Sequence, residues 1–190
     1  LSFPDIETFT KQVLVFYQRQ RFKFGILIFG RIIFAGSSAM DDMDRRILRL
    51  LQKDGRITNL DLSRQIHLSP AATLERVRKL EQSGVIQGYM ARIDPETINL
   101  GLLVFIQVTL DRTSPDIFES FSKALKTIPQ VCECYMVAGG FDYLVKARVK
   151  DMAAYRNFLG KTLTRLPGVR QTHTYTVMEE IKSDPELPLF

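Results

Sequence analysis

The chain has 190 residues, 45% of them hydrophobic, and a formal net charge of +5. That length and apolar content suit one large or two small globular domains. With only two cysteines, a small disulfide-stapled scaffold is excluded and a reducing cytoplasm is the natural compartment. The charge surplus is too evenly spread to identify a nucleic-acid binder alone: residues 1–39 carry five basic and two acidic residues, 40–94 ten and eight, and 95–190 eleven and eleven.

Residues 1–39 fit poorly with the rest of the chain. Arg19, Arg21 and Lys23 precede an apolar run, Phe24 to Gly30, which Arg31 interrupts before Ile32-Ile33-Phe34-Ala35-Gly36-Ser37-Ser38-Ala39. This copies the outline of a secretory signal. A membrane span needs roughly 20 predominantly apolar residues, and Arg31 falls inside the stretch, so none is expected. Met40 and Met43 stand just before the first well-patterned helix. Residues 1–39 therefore read as an atypical N-terminal extension or as a start assigned too far upstream.

Three short helices are expected next. Asp44 can cap the first, whose Ile47, Leu48, Leu50 and Leu51 form one stripe, with Gly55 supplying a left-handed stop. Asn59 can cap the second, with Leu60, Leu62, Ser63 and Ile66 inward and His67-Leu68 forming a tight turn. Ser69 and Pro70 make a cap and first-turn pair for the third. On its wheel, Ala71, Leu74, Val77 and Leu80 share one face, while Ser69, Ala72, Arg76 and Lys79 gather opposite, flanked by Thr73 and Arg78. Small residues early and basic residues later suit a helix that reads base edges with its first turns and grips phosphates beyond them. A solvated basic helix would show the same wheel, but the preceding helix and turn have helix-turn-helix lengths. Val85 to Arg92 reads as a short strand, which would form a wing.

Residues 101–179 contain an internal repeat. A strand from Leu102 to Leu110 leads to a helix striped by Phe118, Phe121 and Leu125, then Pro129-Gln130-Val131 opens a strand. A second strand, Tyr143 to Val149, leads to a helix striped by Met152, Tyr155, Leu159 and Leu163, then Pro167-Gly168-Val169 opens the last. The Pro-x-Val landmarks lie 38 residues apart, and the order β-α-β-β-α-β is that of a ferredoxin-like split βαβ unit. The first strand has Leu103 and Phe105 on one face and Leu102, Val104, Ile106 and Val108 on the other. A sheet apolar on both sides needs a second cover, most economically the same sheet of another subunit. Cys132 and Cys134, two apart in a strand, should share one face and pack rather than bind metal.

The run Leu51-Gln52-Lys53-Asp54-Gly55-Arg56-Ile57, with Leu68-Ser69-Pro70, Glu75 to Glu81 and Ile86-Gln87-Gly88-Tyr89, resembles the Lrp/AsnC (feast/famine) family of transcription regulators, and the likeness spans about residues 40–183. It implies an α+β architecture: a winged helix-turn-helix DNA-binding domain at 40–92, a hinge at 93–100, a ferredoxin-like RAM (regulation of amino-acid metabolism) domain at 101–183 and a tail at 184–190. It further implies double-stranded DNA as partner, an amino-acid effector such as leucine held between subunits, a homodimer assembling into an octamer or larger ring, and no cofactor. DNA contacts would come from Asn59, Ser69, Pro70, Ala72, Thr73, Arg76, Arg78 and Lys79.

The family's Gly-x-x-Asp-Tyr element stands here as Gly139-Gly140-Phe141-Asp142-Tyr143. Gly139 and Gly140 would bring backbone N–H groups near a ligand carboxylate, with Asp142 offering a charge to its ammonium. A glycine hairpin capped by Asp142 is an equally good reading. On the first reading, Asp142→Ala should spare the fold and abolish sensing. Met152, Tyr175, Thr176 and Val177 match further effector positions. Thr176 stands where the leucine-sensing pattern has valine, and Gly140 where it has an acidic residue.

An enzyme is not expected. His67 and His173 are the only histidines, and no nucleophile elbow, phosphate-cradling glycine loop or metal-spaced cluster is present. The remaining alternative is an amino-acid-binding oligomeric module without specific DNA reading.

Overall fold

The computed structural model describes residues 40–189, so the reading of residues 1–39 lies outside it. The described chain forms two compact units: residues up to Ala91 together with the segment from Asp184, and Arg92–Ser183.

The first unit holds α1 (Asp42–Lys53), α2 (Asn59–Ile66) and α3 (Pro70–Gln82). Ile47, Leu48, Leu62, Ile66 and Leu80 are its buried apolar centre. Each helix begins at a side chain that accepts an otherwise unpaired N–H, but two caps lie earlier than expected. Asp41, not Asp44, caps α1; Asp44 is its partner three residues on, each carboxylate accepting the other's backbone N–H. Thr58, not Asn59, caps α2. Asn59 instead donates its side-chain amide to the Pro70 carbonyl at 2.9 Å, joining the starts of α2 and α3. Ser69 caps α3 as expected, accepting from Ala72 N–H.

Gly55 is not the left-handed stop of α1. The helix ends at an extended Asp54, and it is His67, φ 59°, in the turn between α2 and α3, and Gly84, φ 75°, after α3 that take up left-handed backbone in this unit. Residues 85–92 form no strand, because among the described residues no neighbour offers them a ladder. The segment is positioned instead by Ile86 N–H on the Leu80 carbonyl and by the Tyr89 hydroxyl on Glu81, 3.0 Å.

The second unit is the expected β-α-β-β-α-β fold: β1 (Leu102–Leu110), α4 (Pro115–Leu125), β2 (Val131–Met136), β3 (Tyr143–Val149), α5 (Met152–Lys161) and β4 (Val169–Thr176). The strands pair antiparallel in the order β2-β3-β1-β4, with Val104 opposite Ala147 and Phe105 opposite Tyr175. Val104, Ile106, Val108 and Leu110 alternate inward with Tyr143, Val145, Ala147 and Val149, and Phe121, Leu125, Tyr155 and Phe158 of the helices cover them. Burying each such large side chain contributes about 1.5–3 kcal/mol, so this layer dominates the unit's stability. Gly168, at φ 74°, is required: a Cβ there would meet Ile117 Cγ2 at 2.6 Å.

The cysteine expectation is corrected by a bulge. Val131 opposes Ala147 and Glu133 opposes Lys146, leaving Cys132 as the extra residue. Cys134 therefore packs against the core, where burial pushes its thiol up to about 11, and Cys132 is exposed.

Candidate nucleic-acid interface and effector site

The buried side of α3 is formed by Thr73, Val77 and Leu80, not by Ala71 and Leu74, both of which are exposed. Thr73 was expected beside DNA but is fully buried. Its hydroxyl donates to the Ser69 carbonyl at 3.0 Å, which satisfies the polar atom locally and leaves the methyl to pack. Choosing Thr73 over Ala71 rotates the outward face. That face now carries Pro70, Ala71, Leu74, Glu75, Arg78 and Lys79, with Ser69 and Ala72 exposed at its start.

Arg76 turns toward α1. Its guanidinium donates to Asp41 at 2.8 Å and Asp44 at 2.7 Å, the two residues of the α1 cap. Bonds to Asp44 and then Asp41 raise the Arg76 pKa, whereas the backbone bond from Asp44 and then Arg76 hold the Asp41 carboxyl below its usual range. Arg76 thus fastens the third helix to the first. Arg78 is exposed with no ion pair among the described residues, and Lys79 lies 4.0 Å from Glu75.

A lowered carboxylate pKa contributes stability above the unfolded value, 3.8, and loses it as pH falls below that value. Arg76→Ala is therefore expected to lower the melting temperature at neutral pH, with the deficit shrinking as pH drops below about 4. Thermal unfolding of both proteins from pH 3 to 7 checks this; a deficit constant with pH would mean the carboxylates are not its source.

In the second unit, Asp142 belongs to the loop between β2 and β3 and is tied to β1. Its Oδ2 accepts the Leu110 N–H at 2.7 Å, and its own N–H donates to the Val108 carbonyl at 3.0 Å. The following Tyr143 is buried, its ring 4.5 Å from that of Phe121. Gly139 and Gly140 are exposed, have no left-handed backbone, and a Cβ on either would meet nothing within 4 Å. The space beside the glycine pair is open.

The other candidate effector residues lie elsewhere. Tyr175 opposes Phe105, Thr176 opposes Val104, and Val177 N–H donates to the Leu103 carbonyl. Met152 begins α5, just after the end of β3, where Val149 opposes Leu102. From Phe105 to Leu110 is five residues, about 17 Å at 3.4 Å per residue. Within one chain the two groups stand toward opposite ends of β1.

The architecture is thus a helix-turn-helix unit whose third helix presents small and then basic residues, joined in one chain to a ferredoxin-like unit. Residues 40–87 match the winged helix-turn-helix DNA-binding model and residues 103–187 the Lrp/AsnC ligand binding domain. The leucine-responsive regulatory protein of Escherichia coli K12 is 53% identical over 148 residues, 78% of this chain and 90% of that protein. The Klebsiella pneumoniae protein of the same name matches equally.

Among solved structures, a Neisseria meningitidis transcriptional regulator in complex with L-methionine superposes with a TM-score of 0.76 at 38% identity, covering 80% of this chain and 97% of that one. The Mycobacterium tuberculosis leucine response regulatory protein does so at 0.67 and 35%, covering 77% and 98%. The chain belongs to the Lrp/AsnC family of transcription regulators, which bind DNA, respond to amino acids and are not enzymes. No helix among the described residues is long and apolar enough to cross a membrane.

Proposed function

We propose that this regulator reads operator DNA in the major groove with the outward face of α3, and that leucine or a similar apolar amino acid, bound between subunits, alters that reading. Pro70, Ala71, Ala72 and Leu74 allow close approach to base edges, Arg78 reaches a base or phosphate, and Lys79 grips phosphate. Ser69, Asn59, Thr73 and Arg76 hold the helix in place.

The observation that carries the shared effector site is the separation along β1. Asp142 is held at Val108 and Leu110 of β1 and Tyr175 at Phe105, three to five residues away and so about 10–17 Å along the strand, which does not set the two side by side around one α-amino acid. A second subunit supplying one group to the other's partner closes that gap. The outward face of the sheet supports such an assembly: half-buried Phe105 lies opposite Tyr175, itself 55% exposed, and Tyr135 is 52% exposed. A homodimer built on this face, assembling into an octamer or larger ring, gives both groups a neighbour. The names of the leucine-responsive relatives and the methionine complex favour an apolar amino acid.

Two measurements test the reading. Thermal shift against the twenty amino acids should single out leucine or a neighbour in size, because a ligand that prefers the native state raises its stability. Gel shift should show affinity falling steeply with salt, as expected when lysine and arginine displace counterions from phosphate. Salt-insensitive binding, or no amino acid that shifts melting, would refute the corresponding half.

A further inference from the structure

The last described residues are bonded to the helix-turn-helix unit. Arg49 donates through Nε and Nη2 to the Leu189 carbonyl at 3.1 and 2.9 Å. Gln52, one turn further along α1, donates to the Leu187 carbonyl at 3.1 Å and accepts the Leu187 N–H at 2.7 Å. A side-chain amide that both gives to and takes from one residue's backbone reproduces the two-way exchange of an antiparallel strand pair.

Side chains complete the contact. Leu189 packs against the apolar centre of the unit, while Leu187 is 69% exposed. Pro185 and Pro188 restrict the backbone on either side of Leu187, which lowers the entropy lost when the segment is held. Arg49 and Gln52 are three apart and so share a helix face. Two side chains, four hydrogen bonds and one apolar anchor are engaged by a stretch of three residues.

We propose that the Arg49/Gln52 face of α1 is a docking surface for the chain's own segment Pro185–Leu189, and that the docked segment joins the two units a second time. The chain passes from the DNA-reading unit at Ala91 and rejoins it at Asp184. A unit held by one linker samples many orientations, and a second short linker removes most of them. Val177, just past the end of β4, is only seven residues from Asp184, so the stretch between the sheet and the docked segment is short. The Arg76 bridge to Asp41 and Asp44 then ties α1 to α3. The consequence for regulation rests on the effector site proposed above; the docking itself does not.

The test needs no effector. In the full chain, hydrogen exchange of the Leu187 amide should be slowed at least tenfold relative to an unstructured peptide. Gln52→Ala should remove that protection while leaving exchange in α2, α3 and the sheet unchanged, alanine being a strong helix former at that site. Separately, a dye on Gln65→Cys in a Cys132→Ser background reports rotation of the DNA-reading unit by anisotropy decay. Ending the chain after Ser183 should add a fast component, and Arg49→Ala with Gln52→Ala should add the same one. An unprotected Leu187 amide overturns the docking, and anisotropy decay unaltered by the truncation overturns the second join. Absence of a leucine response would refute the effector reading while leaving both of these results standing.

Discussion

Arg78→Ala is expected to lower operator affinity by about 1–3 kcal/mol per bound helix, roughly 5- to 150-fold, with no change in melting temperature. The core side of α3 is fixed by Thr73, Val77 and Leu80, which places Arg78 on the outward face two turns into the helix. It is exposed and unpaired among the described residues, so removing it costs the fold nothing. Arg76→Ala should behave differently. That guanidinium is bonded to Asp41 and Asp44, and its loss should reduce melting temperature and binding to operator and random duplex together. Thr73→Val keeps the buried shape and gives up only a bond to Ser69, so DNA discrimination should be retained. Gel shifts with operator and random duplex, beside melting curves, separate the three. Wild-type affinity for Arg78→Ala would mean that this face of α3 is simply solvated.

The second unit was legible in sequence because its signals are redundant. Strand alternation in Leu102–Leu110, helix stripes at Phe118, Phe121 and Leu125, and the repeated Pro-x-Val starts all require the same fold, and the structure has it. In α3 the signals were nearly balanced. Ala71 and Leu74 are apolar and Thr73 is polar, so the wheel put the first two inside; the Ser69 carbonyl, which accepts the threonine hydroxyl, reverses that choice and is invisible to a hydropathy pattern.

The double ion pair of Arg76 was illegible for a different reason. Asp41 and Asp44 lie 35 and 32 residues away, and only the packing of α3 against α1 brings them together. The bulge at Cys132 likewise depends on the register of β3, and the unpaired segment at 85–92 on the absence of a neighbouring strand among the described residues. For the candidate effector site, the Gly139 to Tyr143 motif stands in the sequence, but the burial of Tyr143 and the bond from Leu110 to Asp142 are not visible there.

That bond sets the second large effect. Asp142→Ala leaves the Leu110 N–H without its acceptor at a residue only 3% exposed, which costs about 1–3 kcal/mol. Each kcal/mol corresponds to about 4–8 °C in melting temperature for a domain of this size, so the loss is readily measured. The expectation that alanine spares the fold is therefore replaced by a destabilised sensor unit. Asparagine separates structure from charge: its amide oxygen can still accept the Leu110 N–H, while its negative charge is gone. Asp142→Asn should therefore melt near the wild type and yet lose the amino-acid-induced change in operator binding, tested with the proposed effector leucine, because an ammonium group taken out of water needs a charged partner. Linkage requires the ligand to discriminate between two states of the protein, and without that partner the discrimination falls. Melting curves and gel shifts with and without L-leucine check both variants. An Asp142→Asn protein that responds at the wild-type leucine concentration would leave Asp142 with a single role, the pin that holds the β2–β3 loop to the end of β1.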